Sequence, residues 1–469
     1  MKKAISFSVV CLIIISMVSM FSLSSCKSQA AATDTGKTVE TAAAATTVST
    51  EATKATEAPA TAAPQNVVLK FIDYQGGNNG ILASYKEIIK IFEAKNPGVT
   101  VEYQQYTVTT LNEYLKPAIS SGTAPDMFAI YAGPDVVDIN ASGALRNLTA
   151  DIDPEWKGWM GNAYNYKGIY DKGDIVVIPQ DALTECVWYH KDMLKEIGWD
   201  IPAITDAFTP EEFASMVKPA KEKGYEVALA GFVEPWCYYN PFFNFVHQQQ
   251  PGETPDMVEE AFSGKISWQQ PIFKNAIEVF VKLNNAGVWP KDSLSMDYQV
   301  QAFGGWLERK SIFMFPQGDW FAGSMKPEEN SAANPNIGIT QYPKVNAQAT
   351  VAYNKNFGSD IAIYSKGKNQ DLSLAFAKLT NSPEAAKIFI ANGVNPACGL
   401  DPNNIPASGN PVLDESIKLY NSPGRVSEII YTYPDGVKAL GDGIGNVVLG
   451  VDTIDQVLKN LDEVSGFKG

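Results

Sequence analysis

Two residue types that build metal and catalytic centres are scarce in this sequence. Only five of its 469 residues are cysteine and only two, His190 and His247, are histidine. So few histidines argue against a His-rich metal centre, and we predict no metal site. Cys186, Cys237 and Cys398 cannot all pair and none stands in a CxxC motif, so one disulfide stays possible but its partners stay open.

Motifs of familiar enzymes are also missing. The chain has no Gly-x-Ser-x-Gly and no His-Glu-x-x-His. Its glycine-rich stretch 76–80 lacks the Gly-Lys-Ser/Thr ending of a P-loop, which argues against nucleotide binding. We therefore predict no catalytic residue, no cofactor and no enzyme. An extracellular glycoside hydrolase remains an alternative, because it needs only aromatic platforms and two carboxylates across the scissile bond.

Positive charge is in deficit. Lysine and arginine number 37 against 52 acidic residues, a formal net charge of −15. Binding to a nucleic-acid backbone requires clustered cations, so we exclude nucleic acid as a partner. The acidic surface instead favours solubility.

The only apolar run long enough to span a membrane is at the N-terminus. Lys2 and Lys3 precede an uncharged apolar run over residues 4–23, and two serines then lead to Cys26. This order predicts a secretory signal peptide over residues 1–25, although a membrane-spanning helix is the alternative. The Ser-Ser-Cys junction resembles the bacterial lipoprotein box. That resemblance implies an acylated (palmitate-bearing) Cys26 that holds the protein on the extracellular face of the cell membrane.

A long stretch follows that cannot fold alone. Residues 27–65 contain 13 alanines, 10 threonines and no aromatic residue. Such a composition buries too little apolar surface to offset the ordering entropy, so we expect residues 26–65 to form a disordered tether. The remaining 400 or so residues exceed one ordinary core, which predicts two lobes.

The main part of the chain alternates strand-like and helix-like segments. Residues 67–72, 99–103 and 127–131 are apolar or β-branched, and helical spacing of apolar residues fills the intervals between them. At 209–212, the sequence Thr-Pro-Glu-Glu is a strong helix start. This alternation predicts the α/β class, with helices covering largely parallel sheets.

Five short motifs follow one another along the chain: Asn96-Pro97-Gly98-Val99, Gly122-Thr123-Ala124-Pro125-Asp126, Val187-Trp188-Tyr189-His190-Lys191-Asp192, Met314-Phe315-Pro316-Gln317-Gly318-Asp319-Trp320 and Ile361-Ala362-Ile363-Tyr364 before Ser382-Pro383-Glu384. In this order they resemble the extracellular solute-binding proteins of family 1, the sugar receptors of ABC importers that include the maltose-binding proteins. Two positions depart from that pattern, since His190 stands where Asn is usual and Lys310 where Gly is usual.

The resemblance implies a two-lobe, periplasmic-binding-protein-like (type II) clamp with a hinge and a ligand cleft between the lobes. One lobe would hold residues 66–182 plus 344–394, and the other 183–343 plus 395–469. It also implies a monomer that captures a carbohydrate, an oligosaccharide above all, and delivers it to the membrane permease subunits. Ligands of open α/β sheets bind where loops leave the carboxyl ends of strands.

Aromatic residues at such ends are the first candidates for ligand contact, because sugar rings stack on flat aromatic faces. The resemblance implies a stacking role for Trp320, which follows an apolar strand and Gly318. Asp319 is a candidate acceptor for sugar hydroxyls, with loop capping as its alternative. Trp236 and Glu234 follow the strand-like segment 227–230 and are candidates for stacking and for accepting hydroxyls.

Further candidates end the first and third strands or lie at the first crossing between lobes. They are Tyr74, Gln75, Tyr131 and Asp181. Trp156 and Trp159 lie in a region expected to be loop, where either core or rim positions are possible. Acidic residues beside Trp and Tyr also form cages for cations, so a polyamine or quaternary amine ligand is an alternative.

Overall fold

A computed structural model describes residues 66–131, 134–203, 205–250, 256–324, 334–352, 354–401, 404–421, 425–426 and 433–469. The predicted signal peptide, Cys26 and the tether lie outside the described residues. Within the described ranges, no helix is both long and apolar enough to cross a membrane.

Thirteen strands are described. They are β1 (Val67–Asp73), β2 (Val99–Gln105), β3 (Met127–Ile130), β4 (Tyr170–Asp171), β5 (Asp174–Ile175), β6 (Ile178–Pro179), β7 (Ala182–His190), β8 (Glu226–Leu229), β9 (Ser311–Gly318), β10 (Ile337–Thr340), β11 (Asn354–Phe357), β12 (Asp360–Ile363) and β13 (Arg425–Val426).

The helices alternate with these strands. They are α1 (Asn79–Lys95), α2 (Val108–Ser121), α3 (Pro134–Ala141), α4 (Pro154–Met160), α5 (Lys191–Glu196), α6 (Pro210–Glu222), α7 (Trp236–Gln249), α8 (Met257–Phe262), α9 (Pro271–Ala286), α10 (Phe303–Leu307), α11 (Gln370–Thr380), α12 (Pro383–Ala391), α13 (Pro411–Asn421), α14 (Pro434–Leu449) and α15 (Ile454–Ser465). Short 3₁₀ turns include Asp319–Ser324, and Tyr298–Ala302 forms a π-helical turn.

Helix α6 illustrates how local chemistry places these elements. The side chain of Thr209 accepts a hydrogen bond from the backbone N–H of Glu212, and Glu212 returns one to the backbone N–H of Thr209. This reciprocal cap satisfies two amides that a helix start leaves open, while Pro210 needs no donor there. The helix start predicted from the sequence is confirmed.

Two sheets form the framework. The first has the strand order β2-β1-β3-β12-β6, and the second has the order β13-β11-β7-β9-β8 with β10 paired to β7. Parallel pairing joins β1 to β2 and to β3, but β12 runs antiparallel to both β3 and β6. In the second sheet, β7 runs antiparallel to β9, β10 and β11. The α/β class is therefore confirmed, whereas the expectation of largely parallel sheets is wrong.

The antiparallel pairs have a common origin. The chain passes from β6 in the first sheet to β7 in the second, and returns from β11 in the second sheet to β12 in the first. These two passages run side by side in opposite directions, with Pro179 opposite Asp360 and Ala182 opposite Phe357. One antiparallel ribbon thus continues through both sheets.

Each sheet has its own hydrophobic core. The core around the first sheet includes Phe71, Tyr85, Phe128, Phe376 and Phe389. The core around the second sheet is richer in large rings, which include Trp188, Phe242, Phe245, Trp268 and Trp306. Removing apolar surface from water stabilises the folded state by about 25 cal/mol per Å², so each core contributes to stability.

Candidate ligand-binding site

Three aromatic side chains meet beside the end of β9, and we call Trp236, Tyr298 and Trp320 the aromatic cluster. The rings of Trp236 and Trp320 meet edge to face with centroids 5.7 Å apart. Tyr298 lies 4.7 Å from Trp236 in a similar geometry. Both indoles are half-buried, whereas Tyr298 is buried. The cluster therefore presents two partly accessible indoles on one buried support.

The orientation of Trp320 follows from two neighbours. Its indole lies against Gly318, where an added Cβ would come within 2.0 Å of the ring. Its Nε1 donates a hydrogen bond of 3.0 Å to the hydroxyl of Tyr298, which itself donates to Gln317. A side chain other than glycine at position 318 would displace the ring. Gly318 and Tyr298 thus hold the indole in one position.

Glu234 completes this side of the site. Its Oε2 accepts a hydrogen bond of 2.6 Å from Nε1 of Trp236, and both residues are half-buried. Trp236 begins helix α7, so it stands at a helix start seven residues beyond the end of β8 and not directly at a strand end. The predicted neighbours Glu234 and Trp236 are therefore in contact.

The other predicted aromatics lie on the first sheet. Tyr74 and Tyr131 follow the carboxyl ends of β1 and β3, and their rings meet edge to face with centroids 6.2 Å apart. The Tyr74 hydroxyl donates to the carbonyl of Gly358 at 2.7 Å, and the Tyr131 hydroxyl accepts from Asn356 at 3.1 Å. Both tyrosines are thus tied to the strand passage β11–β12.

Asp181 lies in the opposite passage, between β6 and β7. Its Oδ1 accepts hydrogen bonds from the backbone N–H and hydroxyl of Ser359, at 2.8 and 2.7 Å, and from Gln75 at 3.0 Å. The residue is 3% exposed, and burial raises the pKa of its carboxyl above the usual value. Asp181 therefore joins both strand passages and the loop after β1.

Asp319 is equally enclosed. Its carboxylate accepts hydrogen bonds from the backbone N–H of Thr184 at 3.1 Å, from Asn395 at 3.4 Å and from the hydroxyl of Ser416. It is 3% exposed, and burial raises its pKa to about 7. Protein donors thus occupy both oxygens, while the adjacent Trp320 remains half-buried.

A third buried carboxyl adjoins this network. Asp73 ends β1 and accepts hydrogen bonds from the hydroxyl of Tyr103 and the backbone N–H of Gln75. Burial raises its pKa to about 6, against the opposing effect of these bonds, and the charge of Asp181 adds to the rise. After the larger effect of burial, Asp181 also raises the pKa of Asp319, so its charge acts on both of the other carboxyls.

Asn78 connects the two halves of the site. Its Nδ2 donates 2.9 Å to the carbonyl of Trp320 and 3.3 Å to Oε1 of Gln75, while its Oδ1 caps helix α1. The turn that carries Trp320 therefore packs on the start of α1. The structure brings the predicted residues of both sheets into one connected region through this residue.

Glycines allow that close approach. A Cβ on Gly80 would lie 2.5 Å from the carbonyl oxygen of Asn392 and 3.2 Å from Cα of Gly323. A Cβ on Gly323 would meet the same carbonyl oxygen at 2.5 Å. Backbone meets backbone here, so no larger residue fits without moving the Trp320 turn.

Sequence reasoning missed Tyr298 and Asn78. No motif marks either one, although Asn78 precedes a helix and so carries the signal of an N-cap. Trp156 and Trp159 lie in helix α4 and not in the expected loop. Trp156 is fully buried and donates to Asn381 at 2.9 Å, whereas Trp159 is half-buried beneath Lys378.

Curated relatives share parts of the sequence. A multiple sugar-binding protein of Streptococcus mutans is 29% identical over 35% of this chain and 37% of its own length. The diacetylchitobiose binding protein NgcE of Streptomyces coelicolor is 21% identical over 74% of this chain and 72% of its own length. The chain thus matches little more than a third of the length of the first of these relatives.

Solved structures share the fold, and one family model matches the sequence. The GacH receptor of Streptomyces glaucescens, solved unliganded and with acarbose, has a TM-score of 0.68 at 18% identity and covers 86% of this chain and 100% of its own. At 18% identity, the similarity shows a shared fold, which is a two-lobe α/β architecture. The model described as bacterial extracellular solute-binding protein matches residues 87–397, more than half of the chain. The protein therefore belongs to the bacterial extracellular solute-binding proteins.

Proposed function

We propose that this protein captures a carbohydrate, an oligosaccharide, between its two lobes and delivers it to an ABC importer. The aromatic cluster carries this proposal. Two half-buried indoles present faces on which the apolar side of a sugar ring can stack, and such aromatic contacts add about 0.5–1.5 kcal/mol beyond the area they bury. Glu234 lies against Trp236, where its carboxylate can accept sugar hydroxyls in charge-assisted hydrogen bonds.

The names of similar proteins support a sugar over other solutes. Multiple sugars, diacetylchitobiose and acarbose appear in the names of the proteins compared above. The alternative of a polyamine or quaternary amine is not favoured by any of these names. The family consists of receptors, so we propose binding without catalysis. A trisaccharide recovered unchanged after incubation with the protein, as judged by chromatography, is the expected outcome.

The lobes in this proposal comprise residues 66–182 plus 344–394 and residues 183–343 plus 395–469. The two antiparallel strand passages serve as the hinge, with Asp181 and Ser359 bonded across them. A sugar that contacts both lobes binds the closed arrangement better, and only that difference in affinity shifts the population toward it. Tyr74, Tyr131 and Gln75 supply contacts from one lobe. Trp236, Trp320 and Glu234 supply them from the other.

The hinge role also reinterprets two predicted ligand contacts. Asp181 and Asp319 use their carboxylates on protein donors in this arrangement. We propose that both hold the strand passages together. Asp319 contacts ligand only where opening of the lobes releases one of its oxygens, whereas Asp181 uses Oδ1 for the protein donors. Stacking on Trp320 does not depend on such a release, because its indole is already half-buried.

Anchoring of the protein completes the proposal. Cys26 carries the lipid after cleavage of residues 1–25, and the monomer remains on the outer face of the cell membrane. Metabolic labelling with a palmitate analogue tests this, since a Cys26→Ala variant should lose the label and appear in the medium. Retention of the label in that variant would exclude Cys26 as the anchor.

Calorimetry on the Trp320→Ala variant tests the binding site. We expect affinity for the best-bound oligosaccharide to fall at least tenfold, about 1.4 kcal/mol, because the stacking face is removed. Trp199→Ala is the matched control, since Trp199 is also half-buried but packs against Phe208. Equal affinities in wild type and Trp320→Ala would remove Trp320 from the site. No heat with any sugar would remove the proposed function.

A further inference from the structure

Carboxylates surround the proposed site on both sides. Asp73, Asp181 and Asp319 lie buried at the junction of the two sheets, and Glu234 lies half-buried against Trp236. Glu185 is 4% exposed and precedes Cys186 in β7, opposite Gly318. All five therefore border the aromatic cluster or the strand passages beside it.

Neutral groups donate hydrogen bonds to three of these acids. Asp73 bonds to a tyrosine hydroxyl and a backbone amide, Asp181 to Ser359 and Gln75, and Asp319 to a hydroxyl and two amide groups. In the described part of the chain, no lysine or arginine forms an ion pair with Asp73, Asp181, Glu234 or Asp319. Above the pKa values of about 6 for Asp73 and about 7 for Asp319, these carboxyls are negative, and hydrogen bonds spread that charge without a described cation paired to it.

The acids also act on the aromatic side chains of the site. Burial is the main cause of the raised pKa of Tyr298 and of Tyr239. Glu234 adds to the rise in both, and Glu185 adds to the rise in Tyr239. On the other sheet, Asp181 and Asp73 raise the pKa of Tyr74, again after burial. Glu234 accepts a hydrogen bond of 2.6 Å from Trp236, and Asp181 accepts one of 3.0 Å from Gln75, which follows Tyr74, so acidic side chains adjoin both groups of aromatics.

A negative potential discriminates between ligands by charge. Recesses lined by charge of one sign with low-dielectric walls focus their field, and like charges brought together there repel strongly. Specificity often depends on such a repulsive element as much as on attraction. A carboxylate or phosphate on the ligand would meet this field, and among the described side chains no cation is paired with Asp73, Asp181, Glu234 or Asp319 to offset it. A protonated amine would instead contact both carboxylates and aromatic faces.

We propose that the site selects sugars by charge: it accepts neutral or amine-bearing sugars and excludes uronic acids and sugar phosphates. This inference rests on the proposed function, because it concerns the same site. It adds a property that the names of similar proteins do not state, since it assigns the charge class of the ligand from the residues of this chain alone.

Matched trisaccharides test the proposal by calorimetry on the complete mature protein. Cellotriose, maltotriose and triacetylchitotriose are each compared with a derivative whose terminal primary alcohol is oxidised to a carboxylate, and with one in which an amine replaces that alcohol. We expect the carboxylate form to bind at least tenfold more weakly than its parent, and the amine form at least as tightly. The deficit should shrink when salt rises from about 0.05 to 0.5 M, because ions screen partly exposed charges.

Variants separate the charge effect from shape. Glu234→Gln keeps the size of the side chain but removes one charge. The ratio between the affinities of the neutral trisaccharide and of its carboxylate form should therefore fall severalfold in this variant. Glu222→Gln serves as the control, since Glu222 is exposed on α6 and pairs weakly with Lys218 at 3.9 Å. An unchanged gap in Glu234→Gln would exclude Glu234 as a source of the discrimination.

The outcomes distinguish this inference from the function beneath it. A carboxylate form that binds within threefold of its parent, or more tightly, overturns charge selection but leaves sugar capture intact. Failure of every neutral trisaccharide to bind overturns sugar capture and charge selection together. Weak binding of the carboxylate form and of the amine form alike would indicate steric exclusion and would also contradict the proposal.

Discussion

Replacing Asp319 by asparagine should remove a large pH dependence from the stability of this protein. The carboxyl is 3% exposed and its pKa is raised from 3.8 to about 7 by burial, while hydrogen bonds from Ser416, Thr184 and Asn395 oppose the rise. The neighbouring charge of Asp181 adds to it. An acid with a raised pKa binds its proton more tightly in the folded state than in the unfolded chain.

The sign follows from proton linkage. Because the folded state holds the proton better, this carboxyl contributes stability that is fully present below its unfolded pKa of 3.8 and is lost as pH rises through about 7. The rise of the pKa from 3.8 to about 7 corresponds to about 4 kcal/mol in the free energy of unfolding, at about 1.36 kcal/mol per pH unit. About 3 kcal/mol of this falls between about pH 5 and 8.5, since the unfolded chain is already mostly ionised at pH 5.

Urea unfolding across that pH range measures the effect. As pH rises from about 5 to 8.5, the free energy of unfolding of the wild type should fall by about 3 kcal/mol more than that of Asp319→Asn. This holds whatever the stability of the variant at the start of the range. Asp73 titrates in the same direction with a pKa of about 6, but it is common to both proteins and cancels in the difference. Glu222→Gln, a change at an exposed site, should reproduce the wild-type curve.

Parallel curves for wild type and Asp319→Asn would refute the reasoning. They would mean that the carboxyl is hydrated or that unfolding leaves its surroundings intact. A steeper curve in the variant would be a stronger contradiction, because it reverses the sign derived from burial.

Three further substitutions test how the site is held. Tyr298→Phe removes the acceptor of the Trp320 indole N–H but keeps the ring, so calorimetry should find sugar affinity reduced about threefold to tenfold, with a shift in tryptophan fluorescence. Gly323→Ala brings a Cβ within 2.5 Å of a backbone carbonyl oxygen and should lower the free energy of unfolding by about 1–3 kcal/mol, and sugar affinity with it. Trp156→Phe leaves the buried Asn381 amide oxygen without its indole donor, so urea unfolding should register a loss of about 1–3 kcal/mol with unchanged sugar affinity.

Local signals in the sequence predicted much of the fold. The capped start of α6 depends on side chains three residues apart, and the strand β1 and helix α1 follow from apolar spacing within one segment. Such features require no knowledge of distant partners. The prediction of largely parallel sheets was wrong, because the direction of the central strands depends on where the chain leaves one sheet for the other. These passages lie between β6 and β7 and between β11 and β12, and no local sequence pattern marks them.

The candidate site was predictable only in part for the same reason. The sequence offers Trp236 and Trp320 as candidates because each follows a strand-like segment. Tyr298 has no such signal and comes near them only through the π-helical turn, 22 residues before Trp320. Asp319 and Trp320 are adjacent in sequence yet have opposite environments. One cause of the difference is the hydrogen bond that the hydroxyl of Ser416 donates to Asp319. Ser416 lies 97 residues further along the chain, so no local sequence pattern predicts this contact.

The way Trp320 is held connects the proposed stacking site to the contact between the two sheets. Its ring belongs to the aromatic cluster, while its carbonyl accepts a hydrogen bond from Asn78 at the start of α1, which packs on the other core. The 3₁₀ turn between these contacts spans only six residues and meets Gly80 backbone to backbone. A ligand that moves the indole must therefore also move the contact with α1, because packed backbone does not deform continuously. Stacking on Trp320 and closure of the lobes are thus expected to change together.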